Sequence, residues 1–298
     1  MSELSERHAM ADLIHASRPV GANRARNRGS LPFGDILCAV DGSRGSREAM
    51  HQAIALGSAG ATIRFVAVRH AIGTGLSAQA DLSEMTARNA LEEAVSISTH
   101  AGVAASVSLV RNGATSDLLL AEAAEHDLLV VGSHGGSRLG GIMLGSTATQ
   151  VAHRAEGPVL IARRTADGEN FPHSILLASD GSPGSWAAAR TATDLAQAKG
   201  SELRLVYVPD GMHPERYREV LKQLTVIEKA TGSSPEMVDD PGHVAERIGG
   251  AARAGQSALI VIGRRGVGGA KALGSVSERV VHRAPCSVLI VPATRDKA

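Results

Sequence analysis

Ile36-Leu37-Cys38-Ala39-Val40-Asp41-Gly42-Ser43-Arg44-Gly45-Ser46 is answered later in the chain by Ile175-Leu176-Leu177-Ala178-Ser179-Asp180-Gly181-Ser182-Pro183-Gly184-Ser185. Each copy is a short apolar run that ends in Asp-Gly-Ser. Each is followed further on by a second apolar run ending in glycine, Leu128-Leu129-Val130-Val131-Gly132 and Leu259-Ile260-Val261-Ile262-Gly263. A glycine-rich loop comes next in both cases, and then Gly-Ser opens a helix. Repetition on this scale means two homologous domains, each of which tests the reading of the other. The length of 298 residues agrees with two domains of about 150 residues, each long enough to bury its own core.

Working outward from these runs, strand and helix signals alternate. The first half reads as strands at 36–40, 62–68, 103–110, 128–131 and 158–162, with helices at 46–59, 81–100, 115–126 and 146–154. Leu82, Met85, Leu91, Val95 and Ile97 are the expected apolar positions of the second helix, and Leu118-Leu119-Leu120 the core face of the third. The second half repeats the order, with strands at 175–178, 203–208, 259–262 and 288–291, a weak third strand around 235–238, and helices starting near Ser182, Pro214, Gly242 and Ser275. Strands alternating with helices imply a parallel sheet covered on both faces, and continuous apolar runs in the strands fit that burial. The expected fold class is therefore α/β, two repeated open parallel-sheet domains with helices on both faces. The joint at 163–172 is rich in charge, Gly and Pro, as a linker should be. The expected boundaries are a tail at 1–32, domains at 33–164 and 173–294, and a linker at 165–172.

Composition narrows the function. The chain has 31 Lys plus Arg against 30 Asp plus Glu, and only one Trp, two Tyr and three Phe. The core must be aliphatic, and too few aromatics are present to stack single-stranded bases, so a nucleic-acid role has little support. No apolar stretch reaches the length of a membrane span, and the mixed charges of residues 2–18 do not make a signal peptide. Cys38 and Cys286 sit among apolar residues and read as buried thiols, which fits a reducing cytoplasm. The tail carries Arg18, Arg24, Arg26 and Arg28 among Asn, Gly, Ser and Pro, and reads as a solvated arm.

In an open parallel sheet, ligands bind beyond the carboxyl ends of the strands, where strand order reverses. Asp41, Val68 and Gly132 end strands at that edge. The loop from Gly132 delivers the chain to a helix N-terminus at Ser146, where free N–H groups and the helix dipole favour phosphate. Its glycines allow close approach of backbone to an anion, Ser146 can cap the helix or bond a phosphate oxygen, and Arg138 can add a charge-assisted bond. Physics alone thus reaches a phosphate-containing ligand, with Asp41 placed to accept from a sugar hydroxyl or a base amine. The competing reading, glycines that only make turns, is not decided by the repeat, because duplication copies folding constraints as faithfully as binding ones.

The spacing Gly132, two residues, Gly135, nine residues, Gly145-Ser146, after a strand ending in Asp-Gly-Ser and before the last strand Pro158-Val159-Leu160-Ile161, resembles the motif of ATP-binding universal stress protein domains. Apart from the tail, the whole chain resembles the tandem form of that family. The resemblance implies a five-stranded Rossmann-like fold in each domain. It implies Asp41 and the Val68 main chain at adenosine, Val131 and Gly132 beneath the ribose, and Gly135, Gly145, Ser146 and Thr147 at the phosphates, with magnesium accompanying them. It also implies pairing through the last strands, 159–162 and 288–291, within one chain as a domain pair or between chains as a homodimer.

The second half offers Asp180, Val208, Ile262, Gly263, Gly266, Gly274, Ser275 and Val276 as the equivalents. Seven residues separate Gly266 from Gly274 instead of nine, a difference of up to ~7 Å of extended chain, and Arg264 and Arg265 replace Ser133 and His134. Those arginines either attract phosphate or fill the cleft, and the first half is the better expected ATP site. Three other patterns carry less. Gly73-Thr74-Gly75-Leu76-Ser77-Ala78 follows the second strand rather than the first and is rejected as a dinucleotide fingerprint. His153-Arg154-Ala155 and His282-Arg283-Ala284 read as basic helix ends rather than a catalytic pair. The twelve histidines lack metal-ligand spacing. The leading expectation is an ATP-binding regulator of the stress response in the cytoplasm. A slow ATP hydrolase or autophosphorylating protein, with Asp41, His134 and Arg138 near the phosphates, is the enzyme alternative. A dimerisation scaffold with vestigial sites is the third.

Overall fold

The computed structural model describes residues 32–57, 60–69, 77–111, 113–134, 144–165, 168–208, 214–232, 237–239, 243–264 and 273–293. Among them the first half contains β1 (Asp35–Ala39), α1 (Arg44–Gly57), β2 (Thr62–Arg69), α2 (Ser77–His100), β3 (Ala105–Arg111), α3 (Thr115–Ala123), β4 (Leu128–Gly132), α4 (Ser146–Arg154) and β5 (Val159–Ala162). The second contains β6 (Ser174–Ser179), α5 (Pro183–Lys199), β7 (Glu202–Tyr207), α6 (Pro214–Thr231), β8 (Met237–Asp239), α7 (Val244–Ala254), β9 (Leu259–Gly263), α8 (Ser275–Arg283) and β10 (Ser287–Val291).

All ten strands lie in one sheet, in the order β3-β2-β1-β4-β5-β10-β9-β6-β7-β8. Within each half the pairs are parallel. At the centre β5 and β10 pair antiparallel, with Leu289 opposite Leu160. The last strands therefore pair inside the chain. Strand order reverses between β1 and β4, and again between β6 and β9, which sets a crevice at the carboxyl ends of each half.

One apolar core covers each face of the sheet and runs through both halves. On one face α1, α2, α5 and α6 bury Ala49, Ala90, Ala188 and Val220 among others; on the other, α3, α4, α7 and α8 bury Leu119, Val151, Ile248 and Val280. The fully buried strands β6 and β10 show why their sequences are apolar without alternation. Cys38 and Cys286 are buried free thiols, and burial pushes the Cys38 thiol well above its ordinary pKa. No helix among the described residues is long and apolar enough to cross a membrane.

Two apolar expectations fail. Leu82 and Met85 are 58% and 55% exposed. The buried stripe of α2 is Ala87, Ala90, Leu91 and Ala94, a clean i, i+3, i+4, i+7 spacing, and Leu82 and Met85 fall outside it. In α3 only Leu119 of the three leucines is buried, because consecutive helical residues turn by about 100° and cannot share one face. The segment after β5 is held more tightly than a linker composition suggests. Phe171 is fully buried, and the main chain of Arg163 bonds to Ser287 Oγ through its N–H at 3.0 Å and to Gln52 Nε2 through its carbonyl at 2.6 Å.

Candidate functional site

At the end of β1 the chain turns on Asp41, whose Oδ1 accepts from Ser43 N–H at 2.9 Å; Asp180 Oδ1 accepts from Ser182 N–H at 3.0 Å after β6. Gly42 and Gly181 adopt φ of +74° and +73°, a conformation open to glycine at little cost. Ser43 Oγ then caps Ser46 N–H at 3.1 Å and Ser182 Oγ caps Ser185 N–H at 3.3 Å, starting α1 and α5.

These helix starts lie directly against β4 and β9. A Cβ on Gly132 would stand 2.5 Å from the Gly45 carbonyl carbon, and one on Gly263 2.7 Å from that of Gly184. Both contacts are backbone to backbone, so Gly132 and Gly263 are required for packing whatever ligand the site takes. The register carries the rest of the edge: β1 pairs with β2 through Ala39 and Val66 and with β4 through Cys38 and Val130, which brings Asp41, Val68, Val131 and Gly132 to one sheet end.

The glycine loops are anchored identically in the two halves. Gly145 N–H donates to Ser133 O at 2.8 Å, and Ser133 N–H to Ala162 O at 2.9 Å. Gly274 N–H donates to Arg264 O at 3.0 Å, and Arg264 N–H to Val291 O at 2.7 Å. The two-residue shortening is therefore confined between Arg264 and Gly274, and both loop ends keep their places. Gly135, Arg138, Arg265 and Gly266 lie outside the described residues, as does most of the rejected 73–78 stretch.

The N-cap of α4 is Gly145 and that of α8 is Gly274, both extended and neither with a side-chain cap bond. Ser146 is thus the first helical residue, not the cap. The first-turn N–H groups at Ser146-Thr147 and Ser275-Val276 are left without intrahelical acceptors, which is the arrangement that attracts an anion. In the second half a cleft of about 380 Å³ opens onto this helix end, within the size range of small-molecule sites. It is lined by Asp180, Val208, Ile262, Gly263, Gly274, Ser275 and Val276, all the sequence-predicted residues of that half except Gly266. Val206 on β7 and Val244 and Ile248 on α7 extend its apolar wall, and Arg216 on α6 joins the lining; no local signal marked Arg216, Val244 or Ile248, since α6 and α7 reach the cleft only through the fold. A second, smaller groove of about 160 Å³ lies between α5 and α6 beside Trp186 and Arg190, away from the strand ends.

Arg264 neither fills the second cleft nor waits for phosphate. Its side chain is buried, and Nη1 donates to Ala152 O at 3.1 Å and His153 O at 3.2 Å, the last carbonyls of α4 in the other half. Arg163 does the same in reverse, Nη2 donating to Val281 O at 2.7 Å at the end of α8, and burial holds its pKa below the ordinary arginine value. Arginine at a helix C-terminus meets unpaired carbonyls and the negative end of the dipole. The repeated His-Arg helix ends are structural as well: Arg154 pairs with Asp117 at 2.5 Å, Arg283 with Glu246 at 3.3 Å, and His153 faces Glu278 across the halves at 3.5 Å. His134 bonds Ser133 Oγ through Nδ1 at 3.0 Å, its carbonyl accepts from Ser43 Oγ at 3.4 Å, and its Nε2 is buried with no hydrogen-bond partner among the described residues.

Fold and site define a Rossmann-like α/β protein built twice, with a crevice at each switch point. A sequence model of the Universal stress protein family matches residues 32–163 and 172–292. The chain is 30% identical over 250 residues to a universal stress protein of Mycolicibacterium smegmatis, covering 76% of this chain and 83% of that one. It is 39% identical over 133 residues to a universal stress protein of Thermus aquaticus, covering 40% of this chain and 97% of that one. The crystal structure of a universal stress protein from Archaeoglobus fulgidus shares the fold with a TM-score of 0.71 at 22% identity, over 90% of this chain and 98% of that one. The chain belongs to the universal stress protein family.

Proposed function

We propose that this protein binds ATP in the crevice of each half and acts in the stress response as a nucleotide-dependent regulator in the cytoplasm. The observation that carries the reading is the second-half cleft. It joins an apolar wall of Val206, Val208 and Ile262, suited to a base, to a strand-ending carboxylate on Asp180 and an uncapped helix end at Gly274-Ser275. The same uncapped end in the first half, at Gly145-Ser146, supports a second site. Among the described residues no group of three His, Cys, Asp or Glu side chains stands ready for a cation. Magnesium would be held mainly by phosphate oxygens and water, as that ion commonly is. The residues present supply binding and orientation. Turnover would need in addition a water-orienting group and a charge clamp on the transferred phosphoryl.

The last strands pair within the chain, so a homodimer uses another surface; sedimentation equilibrium measures it. The nucleotide reading is tested by denaturing protein purified without added ligand, quantifying released nucleotides, and titrating stripped protein with ATP, ADP and cyclic AMP, with and without magnesium. Two ATP per chain is the expected stoichiometry. One per chain, abolished by Gly145→Val but not Gly274→Val, confines the function to the first half. No uptake of any nucleotide overturns the reading. Phosphate release above a protein-free blank in the same samples distinguishes a slow hydrolase.

A further inference from the structure

Arg264 belongs to both crevices at once. Its main chain closes the second: the N–H donates to Val291 O and the carbonyl accepts from Gly274 N–H, the N-cap of α8. Its side chain reaches into the first half and holds Ala152 O and His153 O at the end of α4. The other end of α4 is Gly145-Ser146, the anion-facing end of the first crevice. One residue therefore bonds the far end of the first half's helix and the near end of the second's.

A return route runs through Arg163. Its guanidinium holds Val281 O at 2.7 Å and His282 O at 3.4 Å, at the far end of α8. Its carbonyl accepts from Gln52 on α1, and Ser287 Oγ ties the same group together through Gln52 Oε1 at 2.8 Å. The first turn of α1 is the segment that packs Gly45 against Gly132 and bonds Ser43 Oγ to His134 O. The two routes cross the central β5–β10 seam in opposite directions.

These connections are short and stiff. A nine-residue helix spans about 14 Å and carries a displacement of one end to the other. A single guanidinium nitrogen, Arg264 Nη1, donates to both carbonyls at once and so follows their position. Sites are coupled when each ligand changes the free energy of structure that the other also uses, and the Arg264 main chain and side chain are such structure.

We infer that the two crevices are coupled, so that an anionic nucleotide in one raises the affinity of the other through the Arg264 and Arg163 contacts. The inference rests on the nucleotide reading above. Its sign follows from ordering. A ligand that seats α4 fixes the carbonyls that Arg264 grips, and with them the Arg264 main chain at the N-cap of α8. The second ligand then meets a cradle with less freedom left to lose. Linkage makes the enhancement equal in either order.

The test is an isothermal titration of the full chain with ATP and magnesium, resolved into two stepwise constants. Because the crevices differ, the coupling is read from a cycle: the product of the parent's two stepwise constants is expected to exceed, by at least about fivefold, the product of the single constants of Ser146→Tyr and Ser275→Tyr, each of which blocks one crevice. Arg264→Met keeps an apolar stem and removes the donors; with the Arg163 contacts intact, it is expected to bind two ATP with a smaller excess than the parent, measured on the same blocked backgrounds. A parent whose product equals that of the blocked variants, or falls below it, overturns the coupling and leaves the nucleotide reading standing. A parent that takes up no nucleotide overturns both. A second measurement does not depend on how well the arginine variant folds. Ser146→Tyr places a ring over the exposed first turn of α4 and blocks the first crevice alone. ATP bound to the second crevice of that variant is expected to slow amide hydrogen exchange severalfold in the last turn of α4. Unchanged exchange there, with ATP bound, overturns the proposal.

Discussion

Behind Asp41 the first half is apolar, and behind Asp180 the second is polar. Val40 precedes Asp41 and is 3% exposed. Its counterpart Ser179 donates to Gln223 Oε1 at 2.6 Å and lies 3.1 Å from Ser185 Oγ, which also accepts from Gln223 Nε2 at 3.1 Å. Gln223 is fully buried. The helix beside the turn differs too. A Cβ on Gly42 would meet only the Thr86 and Ala90 side chains, at 3.8 and 3.9 Å, whereas one on Gly181 would stand 2.5 Å from Arg216 O. What the halves share is main-chain geometry: the Asp turns, the Gly132–Gly45 and Gly263–Gly184 approaches, and the bonds that close the glycine loops. What they do not share lies next to the cleft. The repeated glycines at 132 and 263 thus report packing, and the uncapped starts of α4 and α8 are the better evidence for an anion.

The strongest way to break this comparison is to fill the shared approaches. A Cβ on Gly45 would stand 2.0 Å from His134 O, and the contact is with main chain that cannot rotate away. Gly45→Ala is expected to cost about 3 kcal/mol or more, at the upper end of overpacking effects. Gly263→Ala, at 2.7 Å from Gly184, should cost somewhat less. Urea denaturation measures both, and a loss under about 1 kcal/mol in either would show that the helix start slides to make room.

The next largest effect sharpens the difference between halves. Gln223→Leu removes the 2.6 Å acceptor of the Ser179 hydroxyl, which keeps Ser185 Oγ and Gly181 N–H as partners, and should cost about 1 kcal/mol, the worth of an ordinary buried bond. Adding Ser179→Val restores the apolar side chain of Val40 but takes the acceptor from Gly181 N–H at 3.2 Å, so it is expected to add to the loss rather than recover it. The double-mutant cycle is read from denaturation midpoints. Equal losses in the single and double variants would mean that the bond from Gly181 N–H contributes nothing.

Much of this architecture was legible because it rests on local pattern. Leu128-Leu129-Val130-Val131 and Leu259-Ile260-Val261-Ile262 read as buried strands and are buried strands. α4 matches its expected bounds. The strand-end residues of the second half read as site residues and do line the cleft. The failures are long-range. Arg264 looked like a cleft residue because its sequence neighbours are, but its side chain answers the carbonyls of a helix 111 and 112 residues away. Gln52 and Gln223 left a weak trace, a single amide on an otherwise apolar helical stripe. Arg216, Val244 and Ile248 left none, because the approach of α6 and α7 to the cleft is decided by how the whole half closes.

The smallest expected effects lie where the halves match most closely on the surface. Arg154–Asp117 and Arg283–Glu246 join α4 to α3 and α8 to α7 at equivalent places, and all four side chains are more than half exposed. The first pair is the shorter, at 2.5 Å against 3.3 Å, which invites the idea that the first half is the better braced. Exposure argues otherwise. Water and salt screen both pairs, and ordering two long side chains offsets most of the attraction, so each is worth about 0–1 kcal/mol. Arg154→Ala and Arg283→Ala should therefore each shift stability by under about 1 kcal/mol, and the two shifts should be indistinguishable at moderate salt. A loss above about 2 kcal/mol for Arg154→Ala alone would show that the side chain braces α4 through its aliphatic stem, and would place a real asymmetry in the helix that opens the first crevice.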